Sequence, residues 1–209
     1  MANKEIMYDD HYGSKMGVMH GYQGFINKRR IKLFLKLLRP QKNDRILEIG
    51  CNDGLFLSFM QRHCKNCYGI DINKDILKKS RVKHTMLMDS TKMTFKDKSF
   101  NKIYSSHVVE HVADVKKYFK EVSRVLAPGG TFVLMFPWEL FRGMRAIKDS
   151  FGFGESPFVY ARKLHLHRLT PRKVKQLIKG LPLRVVKSGI HIALLFPDYF
   201  MVFEKTKKR

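Results

Sequence analysis

Residues 45–54 read Arg-Ile-Leu-Glu-Ile-Gly-Cys-Asn-Asp-Gly, and residues 67–73 read Cys-Tyr-Gly-Ile-Asp-Ile-Asn. Each is a short apolar run closed by a glycine or an acid, the pattern of a strand buried on both faces. The stretch between them predicts a helix over 54–63. The same rhythm continues outward: a helix over about 74–80, a third strand within 82–90 that ends near Asp89, a loop, and a fourth strand over 101–107. Val112, Val115, Phe119, Val122, Val125 and Leu126 recur at helical spacing and predict a helix from Val109 or Glu110. Pro128, Gly129 and Gly130 stop it, and a fifth strand covers 131–137. Strands and helices alternating at this spacing imply a mostly parallel sheet, covered on both faces and connected by right-handed crossovers.

The flanks complete the architecture. Residues 1–40 divide into an irregular aromatic arm and an amphipathic basic helix with Ile26, Ile31, Leu33, Phe34, Leu37 and Leu38 at helical spacing, stopped by Pro40. Residues 41–138 form the core. Residues 139–169, rich in Phe, Gly and Pro, read as an insertion or lid over the site, too irregular for a routine connection. Residues 170–209 add a helix with Thr170 as cap and Pro171 in the first turn, then two terminal strands paired antiparallel at the sheet edge. The expected fold class is α/β: a single doubly wound, Rossmann-like domain with a mostly parallel seven-stranded sheet and an antiparallel C-terminal edge pair.

Composition bounds the function. The chain has 209 residues, 44% hydrophobic and 28% charged, which suits a globular domain and excludes a disordered one. No apolar run approaches the roughly 18 residues of a transmembrane span, and the N-terminal stretch has no apolar secretory core, so a cytoplasmic location is expected. Cys51, Cys64 and Cys67 are too few and too odd in number for a disulfide framework. Cys64 and Cys67 have the spacing of a metal pair beside His63, but no second pair accompanies them, and no metal is expected. The formal charge is +23, from 41 basic and 18 acidic residues. It concentrates in residues 25–39, with six basic residues and no acid, and in 140–209, with 16 basic against four acidic. Such a surface leaves RNA or an anionic membrane surface open as partners, beside a plain solvated surface.

Ligands of open α/β sheets bind at the carboxyl ends of the strands. Three ends here carry groups suited to a nucleoside-like molecule: Gly50 and Gly54 for a tight turn with close ligand approach, Asp71 for a ribose diol, and Asp89 with Ser90 for an adenine amino group. A glycine turn followed by an acid also occurs in dinucleotide enzymes, but Asn52 breaks the G-x-G-x-x-G pattern, and no G-x-x-x-x-G-K-[ST] is present.

In order and spacing, RILEIGCNDG, YGIDIN, MDSTKMTFKDKSFNKIYSSHVVEHV and VLAPGGTFVL, spread over roughly residues 43–136, resemble the class I S-adenosylmethionine-dependent methyltransferases, in particular the type 11-like small-molecule group. The resemblance implies S-adenosyl-L-methionine as cofactor. By position, Glu48 orients the glycine loop; Gly50, Asn52 and Gly54 face the methionine part; Asp71 holds the ribose hydroxyls; Ile72 packs on adenine; and Asp89 and Ser90 lie at the adenine edge. Ser106 and His107 run past the sulfonium toward the acceptor. Asn52 stands where the family usually has a further glycine.

The donor methyl group is already activated, so the protein mainly aligns the acceptor. A base is needed only where the acceptor loses a proton, and His107 and His111 are the candidates, with Glu110 to orient one of them. They share a face if the helix starts early enough. His11, Tyr12, Trp138, Phe141, Tyr160 and His165 are candidate acceptor-pocket residues. Ser105-Ser106-His107 replaces the N/D-P-P-F/Y motif of amine-directed nucleic-acid methylation. The expected activity is methyl transfer to an oxygen, less readily a nitrogen, of a small acceptor suited by the charge to be anionic. The alternatives are an RNA methyltransferase, or a non-catalytic protein on the same fold that binds nucleic acid or another partner. Oligomeric state is left open.

Overall fold

The apolar runs become the strands. The computed structural model describes residues 21–138, 166–193 and 197–207. In chain order these form α1 (Gly21–Leu38), β1 (Ile46–Ile49), α2 (Leu55–Met60), β2 (Cys67–Asp71), α3 (Lys74–Leu77), β3 (Thr85–Leu87), β4 (Phe100–Ser106), α4 (Val115–Val125), β5 (Leu126–Pro137), α5 (Pro171–Leu177), β6 (Leu183–Ile192) and β7 (Pro197–Lys205). The arm residues His11 and Tyr12, and Phe141, Tyr160 and His165 of the insertion, lie outside the described residues.

The seven strands are ordered β3-β2-β1-β4-β5-β7-β6. β1 pairs in parallel with both β2 and β4, while β7 runs antiparallel between β5 and β6. The strand order reverses between β1 and β4, which opens a crevice at their carboxyl ends. One face of the sheet buries Val115, Phe119, Val122 and Val125 of α4 with Val174 of α5. The other buries Phe34 and Leu38 of α1 with Leu57 and Met60 of α2. All four residues of β1 are buried, which is why its sequence shows no polar alternation.

Side-chain caps fix where the helices begin. Asn73 accepts from the backbone N–H groups of Asp75 and Ile76, and Thr170 accepts from Lys173 with Pro171 at the first position. The helix after β4 differs from expectation. It starts at Val115 and not at Val109 or Glu110, because Asp114 caps it by accepting from Lys117 N–H at 2.9 Å. Residues 107–113 form turns, so His107 and His111 share no helical face. The helices expected over 54–63 and 74–80 are likewise shorter, ending at Met60 and Leu77.

Long cationic side chains tie down irregular backbone. The Arg124 guanidinium donates to Phe95 O and Met93 O, both at 2.7 Å, and pairs with Glu121 and Asp97, clamping the loop after β3 onto α4. Its hydrogen bond to Glu121 holds that carboxyl below its ordinary range. Lys205 donates to Ser123 O and Leu126 O and so satisfies carbonyls at the end of α4.

Candidate functional site

The β1 end turns sharply over β2. Gly50 N–H and Cys51 N–H both donate to Ile70 O, at 2.8 and 3.0 Å. Gly50 and Gly54 hold φ of 76° and 74°, and Asn52 holds 50°. An L side chain is strained there, and asparagine tolerates the left-handed region better than most. Gly50 also faces Val108: a Cβ on it would lie 2.1 Å from Val108 Cγ2. The turn that carries His107 is therefore packed against the glycine loop.

Asp71 joins the loop to β2. Its Oδ2 accepts Asn52 N–H and its Oδ1 accepts Asn73 N–H, each at 2.9 Å. A carboxylate has about four acceptor sites, so two backbone donors leave room for ligand hydroxyls. Ile72, next along, is 50% exposed, an apolar side chain kept at the surface beside that carboxylate. Met88 N–H donates to Asp71 O at 2.9 Å and brings the β3 end alongside. Exposed Asp89 accepts Thr91 N–H at 2.7 Å, and Ser90 is buried. Ser106 ends β4, half-buried, with its Oγ 3.9 Å from Met135 Sδ. The expected cofactor-binding residues therefore meet at one edge of the sheet, with an aliphatic surface and carboxylate acceptors suited to an adenosine.

Glu48 lies beneath this edge. Its side chain is buried and accepts from Tyr104 Oη at 2.9 Å. Burial pushes its carboxyl well above the ordinary range. The same desolvation pushes the Cys51 thiol upward, so it is no thiolate nucleophile near neutral pH. Because folding raises the pKa of Glu48, its contribution to stability is full below the ordinary glutamate value of about 4.3 and falls as pH rises toward the raised one. Glu48→Gln, which keeps an acceptor for Tyr104, is expected to flatten this decline. Denaturant melts at mildly acidic and mildly alkaline pH check it; parallel pH profiles for the two proteins would refute it.

His107 sits at φ 56°, buried, with its N–H donating to Met135 O at 3.0 Å. Its Nδ1 lies 3.3 Å from Glu110 Oε1 and its Nε2 3.2 Å from Asp198 Oδ1. Asp198 in turn accepts from Arg30 Nε and Nη2 at 3.0 and 2.8 Å. Arg30, Asp198, His107 and Glu110, from α1, β7 and the turn after β4, thus make one buried polar cluster beside the site. His111 is half-buried on the same turn. The sequence reading missed Arg30 and Asp198 as members. A signal for Arg30 existed: it is four residues from both Ile26 and Phe34, on the apolar side of its helix.

Both ends of the insertion meet this edge. Trp138 N–H donates to Pro197 O, and its indole lies 5.4 Å from the Tyr199 ring. On the far side, Leu166 and His167 N–H both donate to Glu110 O, at 3.0 and 3.2 Å. The Cys64 thiol donates to Asp44 O and the Cys67 thiol to Cys64 O. Among the described residues, no group of three or more His, Cys, Asp or Glu side chains is arranged to hold a metal.

A glycine turn, a ribose-type acid on the next strand and a seven-stranded sheet with β7 inserted antiparallel define the class I S-adenosylmethionine-dependent methyltransferase fold. The family model Methyltransf_11, a methyltransferase domain, matches residues 47–134. Over these residues, less than half of the chain, the protein is similar to the methyltransferase domains of that family, and the fold is that of enzymes whose cofactor is S-adenosyl-L-methionine. The ubiquinone biosynthesis O-methyltransferase of Pelagibacter ubique is 33% identical over 99 residues, covering 44% of this chain and 41% of that protein. Ajmaline N-methyltransferase of Rauvolfia serpentina is 28% identical over 109 residues, covering 46% and 37%. The chain thus spans less than half the length of these curated relatives. The solved structure of PH0226 from Pyrococcus horikoshii superposes with a TM-score of 0.69 at 18% identity, covering 95% of this chain and all of that one, a likeness of fold.

Proposed function

We propose that the protein transfers a methyl group from S-adenosylmethionine to an oxygen, less readily a nitrogen, of a small anionic acceptor. The observation that carries this is the Asp71 carboxylate, which binds the glycine loop and the start of α3 at once while keeping acceptor sites open beside exposed Ile72. When bound, S-adenosylmethionine supplies a methyl group on a sulfonium already activated for direct displacement. Gly50, Asn52 and Gly54 shape the loop that receives the methionine part, with Glu48 supporting it from below. Asp71 takes the ribose hydroxyls, Ile72 covers one adenine face, and Asp89 and Ser90 border the adenine edge. Ser106 and the His107 turn lead toward the acceptor.

Both ring nitrogens of His107 face carboxylates, so its part is to hold the turn. His111, less buried on the same turn, is the better-placed base where the acceptor must lose a proton. Trp138 and Leu166, the described residues on either side of the insertion, are both tied to this edge through Pro197 O and Glu110 O. An oxygen acceptor agrees with the ubiquinone relative. The basic surface favours an anionic one.

Calorimetry with S-adenosylmethionine on nucleic-acid-free protein tests the site. Asp71→Ala is expected to weaken binding about 10- to 100-fold, the loss of a charge-assisted hydrogen bond worth about 1.5–3 kcal/mol. Thermal melting of the same variant controls for the two backbone contacts it removes. No binding by folded wild-type protein would refute the proposal. Transfer of labelled methyl from S-adenosylmethionine into phenolic and carboxylate acceptors, with RNA in parallel, tests the acceptor class. Label in RNA alone would overturn the small-acceptor reading.

A further inference from the structure

Helix α1 uses its apolar side inside the molecule and turns an uncompensated basic side to water. Ile26, Ile31, Phe34 and Leu38 are buried, whereas Lys28, Arg29, Lys32 and Lys36 are exposed. The spacing of 28, 32 and 36 puts three ammonium groups in one row, about 6 Å apart along the axis. The helix contains no acidic residue, and among the described residues none of the three lysines pairs with a carboxylate. Two aromatic–guanidinium pairs accompany the row. Arg29 lies over exposed Phe25 at 5.7 Å, and Arg62 lies over Phe59 at 4.4 Å on the neighbouring α2 segment, which the Phe34–Phe56 contact holds alongside α1.

The helix also has a direction. Lys102 Nζ donates to Leu38 O at the start of β4, whereas Arg30 reaches Asp198, the partner of Pro137 at the end of β5. The basic row therefore runs from the amino edge of the sheet to the edge that carries the cofactor site. An amphipathic helix docks on a bilayer by burying its apolar face in the interface. In α1 that face is already spent in the core. A row of cations flanked by exposed Phe25 and half-buried Phe59 suits a polymer of phosphates and bases instead, with phosphates on the lysines and bases on the rings.

We propose that the exposed face of α1, continued by Phe59 and Arg62, binds single-stranded nucleic acid. This rests on the geometry of α1 and holds whichever acceptor the methyl site takes. The test is fluorescence anisotropy with a labelled oligouridylate of about 20 nucleotides between about 50 and 200 mM salt. Lys28→Gln/Lys32→Gln/Lys36→Gln is compared with a control triple, Lys120→Gln/Lys175→Gln/Lys179→Gln, which removes the same charge at exposed positions of α4 and of its neighbour α5 with its closing turn, on the opposite face of the sheet. The α1 triple is expected to weaken binding on the order of tenfold or more and to lower the salt slope by about 2, at roughly 0.7 per lost phosphate contact. The control triple is expected to stay within about twofold of wild type, since it removes distant charge and no contact. Glutamine keeps helix propensity near that of lysine, so both triples should melt like wild type. Equal losses in the two triples would overturn the proposal by reducing it to net charge. So would absence of oligonucleotide binding, or binding to phosphatidylserine vesicles without binding to the oligonucleotide.

Discussion

Gly50→Ala is expected to destabilise the protein by about 2–5 kcal/mol and to abolish measurable S-adenosylmethionine binding. Two separable costs add. The backbone stands at φ 76°, where an L residue pays roughly 1–2 kcal/mol. The new Cβ would also lie 2.1 Å from Val108 Cγ2, an overlap that must be relieved by moving the turn that carries His107, at about 1–3 kcal/mol. Gly180→Ala isolates the first cost: its φ is 86° and nothing lies within 4 Å of the added carbon. That variant should lose only about 1–2 kcal/mol and bind the cofactor normally. Adding Val108→Ala to Gly50→Ala should restore part of the stability, a positive coupling between residues in contact. Chemical denaturation and calorimetry on the four proteins decide it. If Gly50→Ala and Gly180→Ala lose the same amount, the close approach of the two turns is not what holds the site.

Arg30→Met should cost about 3–5 kcal/mol, far more than a surface arginine, because it strands a buried carboxylate. Asp198 is 2% exposed and takes both of its guanidinium contacts from Arg30. His107 lies 3.2 Å away and is itself shared with Glu110, and His191 is a further electrostatic neighbour. The double variant Arg30→Met/Asp198→Asn removes both charges and is expected to recover at least half of the loss. Denaturant unfolding of the two singles and the double measures the coupling. A loss below about 1 kcal/mol for Arg30→Met would place the pair with surface ion pairs and contradict its burial. Because the cluster joins α1, β7 and the β4 turn, the single variant should also weaken S-adenosylmethionine binding.

The parallel core was legible because each central strand is buried on both faces. Ile46–Ile49 and Cys67–Asp71 have no polar alternation, and period and punctuation are enough to place such runs. Helix ends were less legible. Val109, Glu110 and Val112 fit a helical pattern, and only the Asp114 cap, acting on Lys117 N–H, decides that the helix waits until Val115. At the candidate site, the placement of Asp71 and the glycine turn at the sheet edge was readable because it depends on two adjacent strands. The burial of Glu48 against Tyr104 was not, since that partner is 56 residues away. Arg30 looked like one more cation of a basic helix until Asp198, 168 residues distant, was brought to it.

By itself, the sequence determined the alternation of elements, the sheet class, the acids and glycines at the strand ends, and the excess of positive charge. These are properties of residue type and spacing, which operate over a few neighbours along the chain. The tertiary structure decided which cations are paired and which face water. It separated Arg30, drawn into a buried carboxylate cluster, from Lys28, Lys32 and Lys36 on the same helix. It also set His107 between Glu110 and Asp198. Charge takes its meaning from its neighbours in space, and those are fixed only when distant strands close the sheet.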